Sequence, residues 1–88
     1  MAADKYSRYR STCKNIFDGY PELLGHLCAT SPAPDVLTQN INVAFGINLS
    51  TDKVYALFKN CAPVSEFLPK LQDTICARYA FEQVRKHK

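Results

Sequence analysis

The architecture can be predicted from a pattern near the end of the chain, where residues 67–84 read FLPKLQDTICARYAFEQV. Apolar residues recur there in two rows at the four-residue spacing of an α-helix. The first row comprises Phe67, Leu71, Ile75 and Tyr79, and the second comprises Cys76, Ala80 and Val84. A helix with two apolar rows has neighbours on both sides, so we expect it to be the central helix of a bundle.

The start of this final helix depends on its prolines. We predict that it begins at Pro63 or Ser65 and runs to about Val84. Pro69 has no backbone N–H, so a helix tolerates it only in the first turn. A start at Pro69 itself is therefore the alternative.

A second periodic stretch lies at the other end of the chain. Its apolar residues fall within a stripe about 100° wide, which is typical of a helix that faces a core. They are Tyr6, Tyr9, Cys13, Ile16, Phe17 and Tyr20. We predict a first helix from about Asp4 to Gly19, with Gly19 as its C-terminal cap.

Two short helices are predicted to follow. The second helix opens at Pro21 and carries the apolar residues Leu23, Leu24, Leu27 and Cys28. After the proline-rich break at residues 31–34, a third helix starts at Pro34 or Asp35 and ends at Gly46. Its polar residues Thr38, Asn40 and Asn42 lower its helix propensity, so a loop over residues 35–45 is the alternative.

Ser50 or Thr51 is expected to cap a fourth helix. Its apolar face comprises Val54, Leu57, Phe58 and Cys61. The sequence therefore predicts an all-α fold, a single compact bundle of about five helices with the last one longest. At 88 residues and 9.9 kDa the chain allows one domain, residues 1–88.

Composition and length limit the location of the protein. No apolar stretch approaches the roughly 20 residues needed to cross a bilayer, so we expect no membrane span. The first ten residues lack the apolar core of a secretory signal, which favours a cytoplasmic or nuclear protein unless a signal was removed. A Met-Ala-Ala start and a final helix that runs close to Lys88 are typical of an N-terminal module of a longer chain.

The net charge of +3 is unevenly distributed. Residues 1–14 and residues 77–88 each hold four basic residues against one acidic residue, whereas residues 15–76 hold three against six. If the terminal helices pack side by side, their cations form one basic patch suited to nucleic acid. The candidate nucleic-acid-binding residues are Lys5, Arg8, Arg10, Lys14, Lys59, Arg78, Arg85 and Lys86.

The stretch from Val36 to Asn60 has the layout of a helix-turn-helix, with a glycine at the turn and a capped second helix. Readers of the major groove favour Arg, Asn or Gln for contacts with bases. The outward positions of the fourth helix hold none of these residues; they are Asp52, Tyr55, Ala56 and Lys59, with Lys53 at the flank. The pattern therefore disfavours direct readout of bases by this helix.

The four cysteines allow two interpretations. They form no C-x-x-C pair and no zinc-ligand set, so we expect no metal and no cofactor, and we predict buried thiols that act as small hydrophobic residues. The alternative rests on spacing, because Cys13 to Cys28 and Cys61 to Cys76 both span fifteen positions. Nested bridges, Cys13–Cys76 and Cys28–Cys61, would then stabilise a secreted helical protein, in which Asn48 would be a glycan acceptor. The sequence does not choose among the three possible connectivities.

We expect no catalytic residues. His26 has only Glu22 at helical spacing, and a thiol nucleophile at Cys28 or Cys61 would need a cleft that so short a chain rarely forms.

Four apolar residues have no place on the predicted core faces: Ile47, Leu49, Tyr55 and Phe81. They are the candidate partner-binding residues of a non-catalytic module that binds a protein or a second copy, with no small-molecule ligand inferred. A nucleic-acid-binding helical domain is the second hypothesis, and a secreted disulfide-stapled protein is the third.

Overall fold

The computed structural model describes the backbone of residues 2–60 and 64–86 and the side chains of residues 5–60 and 65–86. These ranges form five helices and no strand, which confirms the predicted all-α bundle with its last helix longest. The helices are α1 (Ala2–Gly19), α2 (Leu23–Thr30), α3 (Pro34–Phe45), α4 (Thr51–Asn60) and α5 (Val64–Lys86). Within the same ranges, none of the helices combines the length and apolar character that crossing a bilayer requires.

The helix α5 is central, as its two apolar rows predict. It packs against α1 along most of its length and also contacts α4 and α2. Five of its row residues are buried: Phe67, Leu71, Ile75, Cys76 and Ala80. The pairing with α1 is antiparallel, because Tyr6 lines the same groove as Phe81 whereas Phe17 lies beside Leu68.

The last helix starts within the predicted range 63–65, so the alternative start at Pro69 is excluded, and the expectation that a helix tolerates Pro69 only in its first turn is wrong. The helix begins at Val64, so Pro69 lies inside it, past the first turn. The proline leaves the carbonyl of Ser65 without its N–H partner four residues on. Both Pro69 and Ser65 are exposed, so water can satisfy that carbonyl, and the helix continues.

The apolar stripe of α1 is narrower than predicted. Cys13 and Phe17 are buried and Tyr6 and Tyr9 half-buried, whereas Ile16 and Tyr20, also expected in the core, are exposed. Ile16 lies at one edge of the stripe, and Tyr20 follows Gly19, the last residue of α1, so both stay in solvent.

Residues 34–45 are helical, so the loop alternative for this segment is excluded. The polar residues that weaken its helix propensity make hydrogen bonds of their own. The amide of Asn42 donates to the carbonyl of Leu49 (3.1 Å) and accepts from the Leu49 N–H (2.8 Å), and the Asn40 amide donates to the Ser31 hydroxyl (2.9 Å). The Asn42 contacts hold the connector between α3 and α4 against α3, and the Asn40 contact joins α3 to the segment that precedes it. Together these hydrogen bonds outweigh the propensity penalty.

The turn that joins α3 to α4 starts at Gly46, which has a φ of 64°. The Ile47 N–H donates to the carbonyl of Asn42 (3.1 Å), as in a Schellman motif. Ser50 then caps α4, since its hydroxyl accepts from the Asp52 N–H at 3.2 Å. The predicted end of the third helix and the predicted cap of the fourth are both confirmed.

A matched pair of glycine substitutions tests this turn. An added Cβ meets no atom within 4 Å at Gly46 or at Gly25 in α2, so only the backbone conformation distinguishes the two sites. We expect Gly46→Ala to lower the free energy of unfolding by about 1 kcal/mol, because alanine is strained in the left-handed region. Gly25→Ala raises it by about 0.5–1 kcal/mol through helix propensity. Urea titration followed by circular dichroism measures both; equal shifts would contradict the turn geometry.

Candidate interaction surface

The helix α4 buries only one side chain, Val54, and has an apolar groove on each side. The first, which we call the Phe81 groove, has a volume of about 600 Å³ and lies between α1, α4 and α5. It is lined by Tyr6, Lys53, Ala56, Leu57, Thr74, Ala77, Arg78 and Phe81. Its lining residues include two cations and no carboxylate.

The ring of Phe81 is 43% exposed, and two guanidinium groups lie close to it. The Cζ atoms of Arg78 and Arg85 are 5.2 and 5.5 Å from the ring centroid, within the range of cation–π attraction. Arg10 makes a similar contact with Tyr6, at 5.8 Å. The apolar surface of the groove therefore lies beside positive charge.

The second groove, the Tyr55 groove, has a volume of about 530 Å³ and lies on the other side of α4. Tyr55 is 50% exposed there, with the Nζ of Lys59 5.3 Å from its ring centroid. Phe58, predicted on the core face of α4, is also exposed and stacks on Phe67, with ring centroids 4.5 Å apart. The groove is also lined by Cys28 in α2 and by residues 31–34 at the junction of α2 and α3.

Glu82 connects this surface to the rest of the fold. Its Oε2 accepts from the Asn48 N–H and from the Nε of Arg78, both at 2.7 Å. Burial acts to raise the pKa of Glu82, but the hydrogen bonds from Asn48 and Arg78, with the charges of Arg78 and Lys86, outweigh it and lower the pKa below its ordinary value. The i, i+4 spacing of Arg78 and Glu82 is a local signal that could have revealed the ion pair, whereas the contact with Asn48 has none.

The prediction for the partner-binding residues is wrong for two of the four. Ile47 and Leu49 are buried, at 7% and 3% exposure, because the hydrogen bonds between Asn42 and Leu49 hold the connector against α3. Tyr55 and Phe81 are exposed. The sequence reasoning did not identify Tyr6 and Leu57 as groove residues, because both were placed on core stripes.

The predicted nucleic-acid-binding residues lie in several places. The antiparallel packing of α1 and α5 brings the two basic ends of the chain to the same end of the molecule. However, Arg10 and Lys14 line one cleft with Asp73, and Lys59 lies in the Tyr55 groove. A further cleft is lined by Asn48, Arg78, Glu82, Arg85 and Lys86. Lys5 and Arg8 are exposed on α1.

Three cysteines, Cys13, Cys28 and Cys76, are free thiols. Cys13 and Cys76 are buried in the same core cluster, and each thiol shifts the pKa of the other. Cys61, and with it the Cys28–Cys61 bridge of the disulfide alternative, lies outside the described residues. Over the part of the chain that the structure describes, no three His, Cys, Asp or Glu side chains are grouped as metal ligands.

Comparison of the chain with protein-family profiles, curated proteins and solved structures found no significant match.

The Glu82 contacts give a pH-dependent prediction. The pKa of Glu82 is lower in the folded chain than its ordinary value of 4.5, so its contribution to stability is present above about pH 5 and lost as the pH falls through the folded pKa. Glu82→Gln is expected to lower the free energy of unfolding by about 1 kcal/mol at pH 7. The difference from wild type should shrink towards pH 3, as urea titrations at several pH values would show. A difference that is constant with pH would contradict the role of the carboxylate.

Proposed function

We propose that this chain is a non-catalytic helical module that binds an acidic, amphipathic segment of a protein partner in the Phe81 groove. One observation carries the proposal: a half-exposed aromatic ring lies between two guanidinium groups in a groove whose lining is apolar and cationic. Exposed apolar surface of this kind marks interaction sites, and aromatic residues and arginine are enriched at them.

The form of the groove supports a helical or extended segment as the ligand. It runs between three helices at the surface, the arrangement in which an amphipathic helix inserts apolar side chains at positions i, i+3, i+4 and i+7. The positions of Ala56 and Ala77 in its lining leave room for such side chains. Arg78 is paired with Glu82, so Lys53 in the lining and Arg85 beside the Phe81 ring are the cations that favour carboxylates next to the inserted side chains.

The same charges disfavour a symmetric dimer through this face. A two-fold interface places each surface patch against its own copy. Lys53 and Arg85 would then lie close to the same cations of the second copy, and like charges there cost binding energy. We therefore favour a foreign acidic partner over self-association.

Binding to nucleic acid is the second candidate function, favoured by the juxtaposition of the two basic ends of the chain. Duplex DNA binding that weakens steeply with salt and is lost when Arg8, Arg10, Arg85 and Lys86 are neutralised would support it. The spread of these cations over several clefts makes it the weaker candidate.

A displayed library of amphipathic helices tests the protein-binding proposal. Each member carries leucine, phenylalanine or tryptophan on one face and a random mixture of lysine, glutamate and glutamine elsewhere. Selection on the purified chain should enrich glutamate. Enrichment of lysine would contradict the proposed charge complementarity.

Variants then locate the site for the selected peptide, with affinity measured by fluorescence anisotropy. Phe81→Ala and Lys53→Glu should each weaken binding by about tenfold, as expected at a binding hot spot. Arg8→Glu makes the same charge change outside the groove lining and should alter affinity less than twofold. Loss of binding in Tyr55→Ala with full binding in Phe81→Ala would contradict the assignment.

Sedimentation checks the choice between a foreign partner and a second copy. We expect a monomer at all concentrations, because the cations of the Phe81 groove repel their own copies. A dimer that dissociates in the Phe81→Ala variant would show that the face is a self-association surface and would contradict the proposal.

A further inference from the structure

Two thiols meet in the interface between α1 and α5. Cys13 is fully buried and Cys76 nearly so, both belong to the same core cluster, and each thiol shifts the pKa of the other. Both are free thiols. Cys13 lies on α1 and Cys76 on α5, the two helices with the most extensive contact in the fold.

A cleft leads to one thiol of the pair. It has a volume of about 300 Å³ and lies between α1 and α5. Its lining comprises Ser7, Arg10, Ser11, Lys14, Gln72, Asp73 and Cys76, so Cys76 lines it and Cys13 does not. Since Cys76 is only 4% exposed, a molecule as small as hydrogen peroxide can reach it, whereas a bulky disulfide reagent cannot.

The surroundings favour the thiolate at Cys76. A hydrogen bond from the Cys13 thiol lowers the pKa of Cys76, and burial opposes this effect. The charges of Arg10 and Lys14 lower the pKa further, whereas the charge of Asp73 raises it. The same hydrogen bond, together with burial, raises the pKa of Cys13. The thiol beside the cleft is therefore the better nucleophile of the two.

We propose that Cys13 and Cys76 form a peroxide-sensitive pair, in which Cys76 is oxidised first and Cys13 then closes a disulfide that joins α1 to α5. The inference does not rest on the proposed binding function. It assigns a regulatory modification to a site away from the Phe81 groove, although both lie between the same two helices.

The chemistry balances with hydrogen peroxide as the oxidant. The Cys76 thiolate attacks one peroxide oxygen, the S–O bond forms, the O–O bond breaks, and hydroxide leaves and takes up the thiol proton as water. The Cys13 sulfur then attacks the Cys76 sulfenic acid, and a second water leaves as the S–S bond forms. In total two thiols lose two electrons and two protons, and one peroxide becomes two waters. A dithiol reverses the change by disulfide exchange.

Cys28 provides an internal comparison. It is more exposed than Cys76, but burial raises its pKa, and it lies in the Tyr55 groove rather than in the cleft with Arg10 and Lys14. If exposure alone controlled oxidation, Cys28 would react before Cys76. The proposal requires the opposite order.

Peptide mapping of the native chain tests this order. Trypsin places Cys13 in residues 11–14, Cys28 in residues 15–53 and Cys76 in residues 71–78, so each thiol is read separately. After one equivalent of hydrogen peroxide and alkylation under denaturing conditions, we expect a linked peptide of residues 11–14 and 71–78 that disappears on reduction. Cys28 should remain alkylated. Earlier oxidation of Cys28, or loss of the Cys76 thiol with no linked peptide, would overturn the proposal.

Variants separate the roles of the two thiols. Cys13→Ala should stop the reaction at the sulfenic acid, which dimedone traps on residues 71–78, whereas Cys76→Ala should leave Cys13 reduced. Arg10→Ala should slow oxidation by roughly threefold and Asp73→Asn should accelerate it, because the thiolate fraction changes. Arg8→Ala, on the same helix outside the cleft lining, is the control and should react at the wild-type rate. If Arg8→Ala slowed oxidation as much as Arg10→Ala, the role of the cleft would be contradicted. Peptide mapping of the wild-type chain tests the order of oxidation even if a variant fails to fold.

Discussion

The antiparallel contact between α1 and α5 is the constraint on which the rest of the structure depends. Residues from both helices are buried at this contact. They are Cys13 and Phe17 from α1 and Leu71, Ile75 and Cys76 from α5. The two helices come from opposite ends of the sequence. Their contact therefore joins the two ends of the chain, and the three shorter helices connect them. It also brings together the two basic ends, the walls of the Phe81 groove and the paired thiols.

Polar contacts then fix what the apolar packing leaves undetermined. Asn42 holds the connector between α3 and α4 through the nitrogen and the oxygen of its side-chain amide, and Glu82 on α5 accepts a hydrogen bond from the N–H of Asn48. Together they set the position of α4, which has little buried surface of its own. The two grooves exist because α4 is held in this way as a ridge between them.

The sequence was sufficient for those features that depend on local periodicity. The two apolar rows of α5, the glycine at the end of α3 and the serine cap of α4 all lie within a few residues of the elements that they define. It was not sufficient where one residue interacts with a distant one. Ile47 and Leu49 have no periodic partners, and only the tertiary hydrogen bonds of Asn42 place them in the core.

The candidate site shows the same division. Exposure of Tyr55 and Phe81 could be predicted because neither fits an apolar stripe, but the Phe81 groove combines α1, α4 and α5, which no local pattern relates.

The most direct test of the antiparallel contact between α1 and α5 is a nuclear Overhauser spectrum of the labelled chain. The antiparallel contact predicts cross-peaks from the Tyr6 ring to Ala77 and Phe81 and from the Phe17 ring to Leu68. Cross-peaks from Tyr6 to Leu68 instead, or none between the two helices, would contradict it.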